Sequence, residues 1–174
     1  MIKLEKPDID VESIITDCTA NLTKQPILTH INASKTTIVS KSEKYNELAE
    51  KGQLGTLETH TMIEGGATKD DMVWLYDNKF VADGGRKYYD KIKAIPKYSK
   101  CPFCGVGIVS TLDHYLPKTK YPTYALTPVN LIACCADCNK NKKSEISETR
   151  NNEFIHPYYC LLYTSPSPRD TERS

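Results

Sequence analysis

The chain of 174 residues is 39% hydrophobic and carries a formal net charge of +1. That length allows one compact domain with extensions rather than two domains of ordinary size. No apolar run approaches the roughly 18 residues that a membrane-spanning helix needs, and the first residues lack the basic and apolar stretches of a secretory signal. We therefore expect a cytoplasmic protein that does not bind membranes.

Positive charge is concentrated in the middle of the chain. Residues 84–143 hold 11 basic and 3 acidic side chains, a net of +8, whereas residues 1–83 hold 9 and 14 and residues 144–174 hold 3 and 5. A region this basic can neutralise several phosphates and so bind a polyanion. Charge alone leaves open the alternative of an ordinary lysine-rich surface.

The N-terminal part of the chain is predicted to be mainly α-helical. Apolar residues recur at helical spacing from Asp10 to about Thr23, and a polar stretch rich in Ser and Thr follows. Ser40 stands three residues before Glu43 and resembles a capping box that opens a helix over residues 41–51. The Ser/Thr-rich stretch is not predicted to be part of either helix.

Two more helices are expected before the first cysteine pair. Thr68 with Asp71 resembles a second capping box, and apolar residues recur on one face of the following helix as far as Phe80. Another helical segment covers residues 86–95 and ends at a proline. Together these features predict a mainly helical region over residues 1–96.

The pattern changes at Cys101, where Gly and Pro begin to punctuate short β-type runs. Strands are predicted at residues 107–111 and 124–126, and a helix-compatible segment follows at residues 138–147. The chain is therefore predicted to belong to the α+β class, with a hairpin and a helix after the helical region.

Three reactive side chains are expected to lie outside any site. Cys18 stands on the apolar face of the first predicted helix and is expected to be a small buried hydrophobe. His30 and His60 stand in polar surroundings with no partner at a diagnostic spacing, so both are expected to be plain surface residues.

Four of the seven cysteines form two Cys-x-x-Cys pairs. Each pair places two thiolates on a tight turn, from which both sulfurs can reach one ion. In a cytosolic protein such pairs indicate metal more often than disulfides, so we predict a closed, structural zinc site. Cys134 competes with its neighbour for membership, and the shared two-residue gap favours Cys135. The predicted ligands are Cys101, Cys104, Cys135 and Cys138.

An ordered set of polar residues accompanies the cysteine pairs. In chain order they are Asp113, His114, Asn130, Asn139, Lys142 and Lys143. With both cysteine pairs, this order resembles the HNH nuclease family in its zinc-bearing form, over residues 101–143. Any one of these motifs alone is weak, whereas the combination is specific. The resemblance implies a ββα-metal finger that cuts phosphodiester bonds of DNA or RNA.

The resemblance also implies a role for each residue. His114 would be the general base that takes a proton from water. Asp113 and Asn139 would hold a catalytic divalent ion, and Asn130 would fasten the loop that orients His114. Many family members have His where this chain has Asn139, and an amide oxygen prefers a harder ion, so Mg²⁺ or Mn²⁺ is expected. Phosphate contacts are expected from Lys118, Lys120, Lys142 and Lys143.

The flanks of this segment resemble a narrower group more loosely. Residues 88–90 and 154–159 are similar to the flanks of bacterial HNH proteins that pair with an ATPase in Septu-type and retron-linked antiphage defence. An ATPase partner would then regulate the nuclease. His156 could join the catalytic site or cap the fold, and the structural role is expected because the finger already supplies a base and ligands.

Three segments and three functions follow from the sequence. The helical region covers residues 1–96 and the nuclease domain residues 97–159. Residues 160–174 resemble the translated read-through of a sequencing adapter, with a disordered tail as the alternative. An HNH endonuclease is the leading function. The alternatives are a non-catalytic zinc-ribbon module that binds nucleic acid and a zinc-stabilised adaptor that binds protein.

Overall fold

The computed structural model describes residues 2–142 and 156–159. In these ranges the helices are α1 (Val11–Thr19), α2 (Ile27–Glu50), α3 (Lys69–Leu75), α4 (Arg86–Lys93) and α5 (Ala136–Lys142), and the strands are β1 (Thr111–His114) and β2 (Leu131–Cys134). This is a mixed α+β structure with a small sheet, as the sequence predicted. None of the helices in those ranges is both long and apolar enough to cross a membrane.

Helix α1 begins where the sequence indicated. The carboxylate of Asp10 accepts a hydrogen bond from the Ser13 amide at 2.7 Å, which satisfies one of the N–H groups that a helix start leaves unpaired. The apolar face of the helix is buried and includes Cys18, so the packing role expected for that cysteine is confirmed. The helix ends at Thr19, earlier than predicted.

The prediction for the second helix was wrong about its start. Helix α2 includes the Ser/Thr-rich stretch, and the Ser40 hydroxyl donates to the Thr37 carbonyl at 3.1 Å instead of capping a helix. Serine and threonine are weak helix formers, so local propensity hides this helix. Burial of one face stabilises it instead. The buried residues of that face are Ile27, Ile31, Ser34, Ile38, Ser42, Tyr45 and Ala49.

Helix α3 starts with the predicted capping box. The Thr68 hydroxyl accepts from the Asp71 amide, and the Asp71 carboxylate accepts from the Thr68 amide at 3.0 Å. The same carboxylate lies 2.9 Å from Nδ1 of His30 on α2, so it links two helices. His30 is therefore half-buried and hydrogen-bonded, and the expectation of a plain surface residue was wrong.

Thr68→Ala is expected to lower the free energy of unfolding by about 1 kcal/mol, because it removes the acceptor for the Asp71 amide. Thr68→Ser keeps that hydroxyl and should retain most of the stability. Urea denaturation of both variants provides the comparison. Equal losses in the two variants would show that the cap does not stabilise this helix.

The two strands form one antiparallel pair, with Thr111 opposite Cys134 and His114 opposite Leu131. The strands predicted at residues 107–111 and 124–126 were misplaced. Continuous pairing begins only at Thr111, and the second predicted strand falls in a 3₁₀ turn, Pro122–Tyr124, and the turn after it. The proline at the start of that turn fixes its own φ and has no N–H to donate to a ladder.

The final described helix begins slightly earlier than predicted. Helix α5 starts at Ala136 instead of residue 138, directly after β2 and one intervening cysteine. Its predicted continuation to residue 147 lies outside the described residues. The described order is therefore strand, strand, helix.

The core is continuous from the helices into the sheet. One cluster of buried apolar residues takes members from α1 to α4 and from both strands, including Ile14, Met72, Ile92 and Leu131. A second cluster surrounds Tyr45 on α2. Helix α4 packs against both strands. The sheet is thus fixed to the helical part by a shared core.

Candidate functional site

The four predicted zinc ligands meet in space. The sulfur atoms of Cys101, Cys104, Cys135 and Cys138 all lie within 4.8 Å of one another, and Sγ of Cys104 is 4.0 Å from Sγ of Cys135. A tetrahedral zinc ion with Zn–S bonds of about 2.3 Å needs sulfurs about 3.8 Å apart. The cluster can therefore hold a zinc ion. Within residues 2–142 and 156–159, these four cysteines are the one group of three or more His, Cys, Asp or Glu side chains whose donor atoms lie close enough together to hold a metal ion.

The first knuckle directs backbone N–H groups at sulfur. Its turn closes through bonds from the Cys101 amide to the Gly107 carbonyl and from the Gly105 amide to the Cys101 carbonyl, both 2.8 Å. The Gly107 amide also donates to Sγ of Cys104 at 3.3 Å. This bond, followed by one from the Val106 amide, lowers the pKa of the Cys104 thiol to about 6. A thiol that ionises readily favours metal binding, because the thiolate is the ligand.

Gly107→Ala is expected to weaken zinc binding about 10- to 100-fold, the usual cost of disturbing the surroundings of metal ligands. A Cβ at this position would lie 2.8 Å from Sγ of Cys135 and 3.4 Å from Sγ of Cys104. Gly105→Ala is the matched control, because its Cβ meets nothing within 4 Å and adds only the strain of a φ of +71°. Competition with a chromophoric chelator measures both affinities. Parent-like affinity in Gly107→Ala would contradict the expected clash.

The neighbouring Cys134 is not part of the sulfur group. It is buried at the end of β2, where its carbonyl accepts from the Ser110 amide at 3.0 Å. Cys135 follows at once, and its Sγ lies 3.5 Å from the Cys138 amide at the start of α5. The sheet therefore leads directly into the second knuckle, and the sulfur cluster anchors the junction between β2 and α5.

The predicted base, His114, is the last residue of β1. Its side chain is turned into the core and the residue is only 8% exposed. Nε2 lies 2.9 Å from the carbonyl oxygen of Ala125. A carbonyl can only accept, so Nε2 carries the hydrogen, and in the neutral ring Nδ1 carries the lone pair. The contact thereby makes Nδ1 the atom that can take a proton.

Asn130 fastens the segment that follows His114. Its buried Oδ1 accepts from the Leu116 amide at 2.7 Å and from the Tyr45 hydroxyl at 3.0 Å. Its Nδ2 donates to the carbonyls of Leu116 and Tyr124, both at 3.0 Å. A carboxamide can make four such bonds, and all four are made. The loop after β1 is thus held to α2 and to the turn ahead of β2.

Sequence reasoning missed Tyr45, which supports this loop from α2. Its hydroxyl lies 3.3 Å from Nε2 of His156, whose Nδ1 lies 3.4 Å from the Tyr158 amide. Because an amide only donates, Nδ1 accepts and Nε2–H donates to the Tyr45 oxygen. A chain of hydrogen bonds thus leads from His156 through Tyr45 to Asn130. Extending α2 back through the Ser/Thr-rich stretch would have put Tyr45 on the buried face.

Tyr76 was also missed, although it links several predicted site residues. It begins a π-helical turn, Tyr76–Phe80, directly after α3. Its ring centroid is 4.5 Å from that of His114, and the Lys118 ammonium sits 4.2 Å from the Tyr76 centroid. Burial raises the pKa of Tyr76, and the nearby charge of Asp113 contributes to the rise. Such turns are frequent at functional sites, but they are visible only in a structure.

The predicted ligands of the catalytic ion lie on two elements in contact. Asp113 is half-buried on β1, Asn139 is half-buried on α5, and α5 packs against β1. The Asn139 amide donates to the Cys135 carbonyl at 3.1 Å, which ties this residue to the second knuckle. Both side chains end in oxygen. Their donor chemistry fits a hard cation such as Mg²⁺ or Mn²⁺.

The predicted phosphate contacts fall in different places. Lys118 is half-buried and forms an ion pair with Asp77 at 2.5 Å, so its charge is partly neutralised within the protein. Lys120 is exposed. Lys142 ends α5, its side chain lies outside the described part of the structure, and Lys143 lies outside it altogether.

His60 differs from its prediction. It is half-buried, its Nε2 lies 2.7 Å from the Thr123 hydroxyl, and its ring meets those of Tyr121 and Tyr124 edge-on. The expectation of a plain surface residue was therefore wrong. The side chain instead supports the turn that precedes Ala125, the partner of His114.

Comparison with known proteins gives one informative similarity. No protein-family model matches the chain, and no solved structure matches it. The chain is similar to Protein ea31 of Escherichia phage lambda, at 30% identity over 168 residues. The similarity covers 91% of this chain and 56% of that protein. The chain thus spans little more than half the length of this curated relative.

Proposed function

We propose that this chain is a metal-dependent HNH endonuclease with a ββα-metal finger, which hydrolyses phosphodiester bonds of nucleic acid, DNA in preference to RNA. The observation that carries the proposal is the environment of His114. Its imidazole is held through Nε2 by the Ala125 carbonyl at 2.9 Å, which fixes the neutral tautomer whose basic nitrogen is Nδ1. His114 follows Asp113 on β1 and precedes the loop that Asn130 anchors, a placement that suits a positioned general base.

The His114 imidazole acts as the general base. Its Nδ1 takes a proton from a water molecule, whose oxygen forms a bond to phosphorus while the bond from phosphorus to the 3′ oxygen breaks. The products are a 5′ phosphate and a 3′ hydroxyl, which receives a proton from solvent. Asp113 and Asn139 would hold a divalent cation, which would supply positive charge to stabilise the charge that develops at the reacting phosphate.

The support around the base is consistent with this role. Asn130 holds the loop after His114 through its contacts with Leu116, and Tyr45 orients the Asn130 carboxamide. A base must be held within a few tenths of an ångström of its productive position, so a fully bonded, buried amide is suited to this duty. Asn130 and Tyr45 are thus positioning residues in the proposal.

The cysteine cluster has a separate duty. With four sulfurs on one ion, zinc would have no open coordination position, so it would stabilise the finger without activating water. It would fix the end of β2 and the start of α5, which carries Asn139. In the proposal, zinc is therefore structural and Mg²⁺ or Mn²⁺ is catalytic.

A regulatory ATPase partner and a role in bacterial antiphage defence extend the proposal. Their support is the looser likeness of residues 88–90 and 154–159 to HNH proteins of ATPase-nuclease pairs. Of these residues, Asp90 forms an ion pair with Arg86, and Tyr88 donates to Asp17 at 2.6 Å. Co-purification with an ATPase encoded beside this chain tests the partnership, and separate elution of the two proteins would contradict it.

Cleavage assays test the proposal directly. The zinc-loaded protein is incubated with duplex DNA, single-stranded DNA and total RNA, with magnesium omitted or added. Magnesium should be omitted instead of chelated, because a strong chelator would also remove zinc. Magnesium-dependent strand breaks support the nuclease. Retardation on a gel with no cleavage under any condition would favour the zinc-ribbon binding module instead.

A further inference from the structure

The hairpin that contains the first knuckle presents apolar side chains to solvent. Tyr98 is 91% exposed, Val106 75% and Ile108 60%. They belong to one small hairpin, in which Lys100 pairs with Ile108 and the Val109 amide donates to the Ser99 carbonyl at 2.8 Å. Lone exposed apolar residues are ordinary, but three on one hairpin indicate an interaction surface. We call this surface the Tyr98 edge.

The backbone at the Tyr98 edge is held in an unfavourable conformation. Tyr98 and Ser99 have φ values of 55° and 53°, in the left-handed region that side chains with a Cβ rarely adopt. Such a conformation is disfavoured for residues with a Cβ, and it persists at sites where a function depends on it. Here it carries the phenol ring away from the protein, where it contributes almost nothing to the core.

The surroundings of the ring are basic. From residue 91 to residue 112 the chain contains four lysines and no acidic residue. A groove of about 590 Å³ adjoins the edge at Lys97, and its charged lining residues are Lys3, Lys6, Lys97 and Glu5. Lys6 also pairs with Glu50 at 2.7 Å, so the remaining charges of the groove are those of Lys3, Lys97 and Glu5, two positive against one negative. An anion is the complementary occupant.

We propose that the Tyr98 edge binds an unpaired stretch of nucleic acid, with a base stacked on the Tyr98 ring and the adjoining phosphates against Lys97 and Lys3. This rests on the proposed function, which makes nucleic acid the substrate, and adds that a single-stranded segment is recognised. An exposed aromatic ring beside lysines is the combination that binds single strands without sequence preference, because every base has a face to stack. In a duplex those faces are hidden by neighbouring base pairs.

The edge lies within reach of the candidate base. His114 is the sixth residue after Ile108, and an extended chain over that interval spans about 20 Å at most. A strand stacked on Tyr98 can therefore extend to His114 within a few nucleotides. The inferred substrate is nucleic acid with an unpaired segment beside the bond that is cut.

Binding of a fluorescein-labelled 12-residue oligo(dT), followed by anisotropy without added magnesium, tests this inference. Tyr98→Ala should weaken binding of oligo(dT) on the order of tenfold, while Tyr98→Phe, which keeps the stacking face, should bind like the parent. Met62→Ala is the matched control, because Met62 is another exposed large side chain, 63% exposed, which pairs with Thr68 instead of belonging to the knuckle hairpin. A blunt duplex of the same length should bind Tyr98→Ala and the parent equally well.

Two results would overturn the inference. In the first, Tyr98→Ala binds oligo(dT) as tightly as Met62→Ala does. The Tyr98 edge would then not bind single strands, and a protein would be the alternative partner. The other is an equal loss for single strands and duplex, which would indicate nonspecific damage. Neither depends on cleavage. A parent protein that binds oligo(dT) through Tyr98 but never cuts nucleic acid would contradict the proposed nuclease and leave this inference standing.

Discussion

His114→Ala is expected to reduce magnesium-dependent cleavage by about two to four orders of magnitude, the usual contribution of a general base. The loss should fall on the rate of the chemical step, because Nδ1 takes the proton from water only as the new bond to phosphorus forms. Single-turnover kinetics with saturating protein measures that step. Binding of the nucleic acid should change much less than the rate.

Three controls separate loss of the base from loss of the fold. The His114 ring is buried against Tyr76, so its removal also leaves a cavity with a cost in stability. The variant should nevertheless keep its zinc, and added imidazole should restore part of its cleavage rate. His30→Ala removes a half-buried histidine that is bonded to Asp71 at a helix start, and it should leave the cleavage rate unchanged. Equal losses of rate in both variants would indicate damage to the fold instead of loss of a base.

Cys101→Ser is expected to abolish zinc binding and to unfold the segment around the knuckles. The Cys101 residue is fully buried within the sulfur cluster, and binding of structural zinc contributes on the order of 10 kcal/mol to folding of such segments. Cleavage should be lost as a consequence, because α5 carries Asn139. Zinc content by mass spectrometry and thermal unfolding measure the two effects.

Cys134→Ser is the matched control for the zinc prediction. It makes the same substitution at a buried cysteine directly beside Cys135, but outside the sulfur group. One zinc per chain should remain, with a modest loss of stability from a hydroxyl placed in the core. If Cys134→Ser lost zinc and Cys101→Ser kept it, the ligand set would be wrong.

Residue spacing was enough to predict the sulfur cluster, because two Cys-x-x-Cys turns together supply the four thiolates that one structural zinc ion needs. It was also enough for the capping box at Thr68, where the geometry is local. It failed for α2, because the stability of that helix comes from burying a face that contains serines. It failed for β1, whose position depends on pairing with β2 instead of on the preferences of its own residues.

The contacts of the candidate base could not be predicted in the same way. The Ala125 carbonyl is a backbone atom and has no sequence signature. Tyr45 and Tyr76 reach the site from helices far away in the chain, so their contacts depend on packing between elements. His156 and Asn130 were both singled out from the sequence, but the hydroxyl that connects them was not.

The most direct measurement of the central claim is anomalous scattering from crystals soaked in Mn²⁺, with data collected at the manganese and zinc edges. We predict a manganese peak within about 2.5 Å of the side-chain oxygens of both Asp113 and Asn139, on the side from which His114 Nδ1 can reach a bound phosphate. Zinc at the four cysteines serves as the internal reference. A fully occupied zinc site with no manganese bound by Asp113 and Asn139 would contradict a catalytic cation at this place.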